Sequence, residues 1–140
     1  MRALYRALAG LIALSVVVQA AVLAAAWFIV IKDTDNGVVF DKNNEGNWGH
    51  AAHGIIGMMV VPLLALLLLI ISFFARIPGG VKWALITVGV VALQIVLAMV
   101  SFGVPVIGAL HGINAFAVAG VASIAMRQAR ESIAPPVAVA

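Results

Sequence analysis

Residues 50–75 read HAAHGIIGMMVVPLLALLLLIISFFA, an apolar run with no Asp, Glu, Lys or Arg, opened by two histidines and stopped by Arg76. A ~30 Å hydrocarbon core needs about 20 helical residues at ~1.5 Å rise, and this run exceeds that. A transmembrane strand would take only ~9–11 residues of alternating polarity, and this run does not alternate. Three more runs of the same kind surround it: 8–31 between Arg6 and Lys32, 81–102, and 106–126 before Arg127. The expected fold is all-α, a four-helix transmembrane bundle forming one domain over residues 1–131. Residues 132–140, ending Pro135-Pro136-Val137-Ala138-Val139-Ala140, are expected to be a disordered tail.

Composition agrees. Of 140 residues, 65% are hydrophobic and 9% charged, against ~45–50% and ~25% in soluble domains. The net charge of +3 does not point to nucleic acid, because the Lys and Arg sit at the ends of apolar runs, where they report orientation; the partner implied is membrane lipid. The absence of cysteine excludes disulfides, thiolate zinc sites, iron–sulfur clusters and covalent haem attachment through a Cys pair.

Arg2 and Arg6, Arg76 and Lys82, and Arg127 and Arg130 form three basic clusters, whereas the first loop opposes Lys32 and Lys42 to Asp33, Asp35, Asp41 and Glu45. The positive-inside rule then puts both termini in the cytoplasm, as a multi-pass protein of a bacterial-type inner membrane. A cleaved signal peptide ending near Ala24-Ala25-Ala26 fits poorly, because the apolar run of ~24 residues far exceeds an h-region of ~7–15. Asp33-Thr34-Asp35-Asn36-Gly37 faintly resembles a calcium loop, but the invariant Gly of the EF-hand falls where Val38 stands, so a solvated loop is expected. Ile77-Pro78-Gly79-Gly80 reads as a tight turn joining antiparallel helices two and three.

Ionisable residues inside membrane spans are costly and functional by default. His50 and His53 open helix two, and His111 lies near the start of helix four. The orientation derived from Lys and Arg puts all three in the outer half of the bilayer. Counted from Ala75, His53 stands about 33 Å up, and counted from Met126, His111 stands about 23 Å up. Extension of helix four to Arg130 and ordinary helix tilt would close that gap, which makes His53 a better partner for His111 than His50. Gly54 and Gly57 follow His53, and Gly108 and Gly112 flank His111. Such small residues serve close helix packing or clear space for a flat macrocycle. Two imidazoles from two membrane helices suit the axial positions of haem iron, making His53 and His111 the expected metal ligands. Lys42 and Trp48 are placed to meet the propionates, and Asn114, one turn beyond His111, to orient it by hydrogen bonding. Asn114 and Gln94, in mid-span of helix three, equally suit helix–helix hydrogen bonds. Met58, Met59, Met99 and Met126 read as packing.

This layout, with the strings HAAHGIIG (50–57) and PVIGALHGINAFAVAGVASIAMRQAR (105–130), resembles one four-helix half of bacterial haem A synthase. It is also similar to small four-helix bacterial membrane proteins of unassigned function. The resemblance implies haem b between histidines of helices two and four. The synthase's catalytic half carries a Glu three residues before the helix-two ligand and an Arg after it; here those positions hold His50 and Gly54. The haem-holding architecture is thus implied and the haem-oxidising chemistry is not. The synthase has eight helices, a number a homodimer would restore.

Three functions stay open: a b-type haem protein in electron transfer, haem handling or redox sensing; a cofactor-free accessory subunit of a respiratory or other membrane complex; and a copper or zinc site, or proton relay, using His50, His53 and His111. No Ser/His/Asp set or phosphate loop occurs, and all five carboxylates are expected in the first loop or beyond helix four. Any general acid–base role would fall to the histidines, so no enzyme is expected beyond an electron-transferring component.

Overall fold

A bilayer core offers the backbone no water, so apolar runs must satisfy their own N–H and C=O groups, which a helix does. A computed structural model of the chain describes residues 1–43 and 46–132. It contains four long helices: α1 (Arg2–Asp35), α2 (Trp48–Ala75), α3 (Gly80–Gly103) and α4 (Gly108–Glu131), the last entered through a 3₁₀ turn at Pro105–Ile107. All four are long and apolar enough to cross a membrane. The expected tail lies, apart from Ser132, outside the described residues.

The helices outrun the apolar stretches, most of all α1, because backbone hydrogen bonding continues where polar side chains can reach the interface. Asp33 and Asp35 therefore belong to the last turn of α1, and Glu131 to α4. The Asp33–Gly37 string is a helix C-terminus. Gly37 takes φ 88°; its N–H donates to Thr34 O and the Val38 N–H to Asp33 O, both at 2.9 Å, the paired bonds of a Schellman cap.

Asn47 opens α2. Its Oδ1 accepts from Gly49 N–H at 3.0 Å and His50 N–H at 3.4 Å, while its Nδ2 donates to Ala26 O of α1 at 2.9 Å. One side chain thus caps α2 and fixes its height against α1. Gly49 seals that contact: a methyl there would stand 2.6 Å from Val22 O and 2.8 Å from Ala26 Cβ. Further on, residues Ile56–Val60 form a π-turn that ends two residues before Pro62, which has no N–H to donate and whose ring crowds the preceding turn.

Helices α1 and α3 each pack against both α2 and α4, so α2 faces α4 across a diagonal. The packed core lies mostly in the half that holds the start of α1 and the end of α4. It includes Tyr5, Leu8, Ala9 and Ile12 of α1, Val61, Ala65, Leu68 and Ala75 of α2, Ala84 and Val91 of α3, and Val118, Ala122, Ala125 and Ala129 of α4, with Ile77 of the α2–α3 turn. The alanine stripe lets α4 approach its neighbours closely. At this end the Tyr5 hydroxyl donates to Gly80 O at 2.9 Å, and Arg2 donates to Ala75 O, Arg76 O and Ser132 O. In its satisfied orientation the Gln128 amide bridges Pro78 O and Trp83 Nε1. These bonds bring the start of α1, the end of α4 and the α2–α3 turn to one end. In the other half, no residue of 13–25, 50–60, 92–103 or 108–113 is fully buried.

Candidate functional site

The half with the looser core holds the histidines. His53 of α2 and His111 of α4 meet across the diagonal, their ring centroids 6.2 Å apart at an interplanar angle of 67°. They share a level because α4 runs five residues past Met126, about 7.5 Å at ~1.5 Å per residue, which removes most of the offset counted from the sequence.

His111 is held on both ring nitrogens by one residue of α3. Its Nδ1 lies 3.0 Å from Gln94 O and its Nε2 3.2 Å from Gln94 Nε2. A main-chain carbonyl only accepts, so Nδ1 carries the proton and Nε2 accepts from the amide. The Gln94 amide is itself fixed: Nε2 donates to His111 O at 3.0 Å, and Oε1 accepts from Asn114 Nδ2 at 2.7 Å. Asn114 is fixed in turn by donating to Val90 O at 3.0 Å. Three main-chain carbonyls therefore determine every orientation in the network. Asn114 reaches His111 through Gln94, not by a direct bond.

His53 differs. Its Nδ1 is buried without a hydrogen-bond partner among the described residues, as are His50 Nδ1 and Gln19 Oε1. Gln19 of α1 donates from Nε2 to His53 O at 3.0 Å, anchoring the backbone and leaving the ring to its own contacts. Gly57 makes room for Gln19, since a methyl on it would stand 2.7 Å from Gln19 Nε2. Gly54 and Gly112 face open space. His50 turns to α1, its ring edge-on to Trp27 at 5.7 Å and 86°. Among the described residues, no three His, Cys, Asp or Glu side chains gather into a metal site, so the three-histidine zinc arrangement is not assembled. Lys42 and Trp48 are exposed. Met58, Met59 and Met99 are also exposed, and Met126 packs against Gly10 of α1.

The donor pair can be tested against haem iron. The 6.2 Å between the ring centroids would leave room for one metal ion between the two imidazoles, and because both His111 nitrogens are engaged by Gln94, His111 would hold it only once the carboxamide had left Nε2. A Nδ1–H bond to a carbonyl is also the usual outer support of a metal-ligating histidine, and His53 Nδ1 is a buried nitrogen still lacking a partner.

Sequence reasoning overlooked two residues of this region. Gln19, a lone amide inside the first apolar run, was visible as a mid-span polar residue; Pro62 was visible as a helix breaker just beyond the histidines.

By its four spans the chain is a multi-pass membrane protein of four-helix type. No known family model matches it, and neither a curated protein nor a solved structure matches it.

Proposed function

We propose that the chain binds b-type haem through His53 and His111 and acts in one-electron transfer, haem handling or redox sensing. The observation that carries this reading is the imidazole pair at 6.2 Å across the bundle diagonal. Haem bound there supplies a ferric/ferrous couple in an apolar setting. The chain contributes the axial nitrogens, fixes the His111 ring through Gln94 O, and holds the His53 backbone through Gln19. With the basic clusters cytoplasmic, the pair sits in the outer half of a bacterial-type inner membrane, at the level the haem A synthase resemblance implies. His50 and Gly54 stand where that enzyme has Glu and Arg, so the proposed role is to hold and pass electrons rather than to oxidise haem.

A second reading, a cofactor-free subunit of a larger membrane complex, draws support from the closed Gln94–His111–Asn114 network, which satisfies His111 without a metal. Oxidised and dithionite-reduced visible spectra of detergent-purified protein, with a pyridine haemochrome assay, separate the two. A sharp b-type α-band at about one haem per chain is expected. A colourless protein from haem-replete cells would overturn the haem reading in favour of the subunit.

A further inference from the structure

Resting on the haem reading, we propose that Gln94 is a positioning residue whose main-chain oxygen fixes the His111 tautomer and whose carboxamide covers the nitrogen that iron would take. Gln94 touches His111 with two chemically different groups. Its main-chain oxygen accepts from Nδ1 at 3.0 Å, a bond that coordination at Nε2 leaves intact and that no substitution at position 94 removes. Its side-chain Nε2 lies on the opposite ring nitrogen at 3.2 Å, on the lone pair a metal needs. The imidazole is therefore presented in one tautomer with its ligating nitrogen capped.

The cap can be released at small cost. The carboxamide also donates to His111 O and accepts from Asn114, so its remaining bonds can hold it beside the site after it leaves Nε2. In the cofactor-free chain the cap spares an apolar region an unsatisfied acceptor. On loading, it competes with iron for the same electron pair. His53 carries no such cap: among the described residues neither of its ring nitrogens has a hydrogen bond, and Gln19 binds only its main-chain oxygen. The two histidines are thus unequal: His53 would offer iron an uncapped nitrogen, whereas His111 would do so only after the Gln94 carboxamide had moved off Nε2.

The test compares haem-free wild type and Gln94→Leu, which keeps bulk and removes the cap on Nε2 together with the carboxamide's bonds to His111 O and Asn114, in hemin titrations in detergent. Removing one competing neutral hydrogen bond is expected to tighten hemin binding by about fivefold. The low-spin bands should stay in place, because the main-chain bond to Nδ1 persists. Nitrogen-15 NMR of His-labelled, haem-free wild type should report His111 protonated at Nδ1, a reading that needs neither haem nor the variant. A protonated Nε2 on neutral His111 would overturn the proposal even if Gln94→Leu failed to fold. Hemin bound by wild type but equally or less tightly by Gln94→Leu, or a high-spin variant, would overturn the competition while leaving the haem reading standing. Hemin bound by neither protein would overturn both.

Discussion

His53 and His111 look alike in the sequence and stand in different chemical states. One ring has both nitrogens occupied; the other keeps a buried nitrogen without a partner. Under the haem reading, His53→Ala and His111→Ala should each abolish the low-spin spectrum, whereas His50→Ala should retain it with at most a small shift, because His50 lies against Trp27. Retention in either of the first two variants would move the ligand assignment. Gly57 gives a test independent of haem. Gly57→Ala drives a methyl against Gln19 Nε2 and should break the bond to His53 O, destabilising the bundle by about 1 kcal/mol. Gln19→Ala in the same chain should remove most of the added cost, read as a double-mutant cycle of unfolding in mixed micelles. Additive losses would show that Gly57 serves another neighbour.

Among the elements, α2 decides where the site forms. The Asn47 cap and the Gly49 contact set its height on α1, and the π-turn before Pro62 sets the rotational phase of the segment carrying the histidines. Gly49→Ala meets the main chain at Val22 and the Ala26 side chain, neither of which can swing away. It should cost about 1–3 kcal/mol and move His53 off the level of His111, so its low-spin haem content should fall although every ligand remains. An unchanged spectrum would show that α2 can tilt without breaking the pair. The number and approximate limits of the helices were legible from apolar run length alone. The π-turn was not read, because hydropathy counts residues and is blind to one missing N–H at Pro62.

At the scale of the molecule, the bonds of Arg2 and Tyr5 gather the start of α1, the end of α4 and the α2–α3 turn at one end, leaving the end of α1 and the start of α2 at the other. The chain has no native cysteine, so single substitutions test which end is outside. In intact cells, Val39→Cys should react with a membrane-impermeant maleimide, and Lys82→Cys should react only after lysis. The opposite pattern would invert the proposed orientation. The sequence by itself determined four membrane helices, because lipid forbids an unpaired backbone and the apolar runs have spanning length. It also marked His50, His53 and His111 as candidate residues, since an ionisable group in a span is costly and suggests a function by default. Helix counting already paired His53 with His111 in preference to His50; only the tertiary structure decided that the pair spans a diagonal, that His50 lies against Trp27, and that Gln94 and Asn114 act as one unit on His111. Those facts depend on helix phase, height and crossing, which are set by close contacts such as Gly49 on α1 and leave no periodic trace in the order of residues.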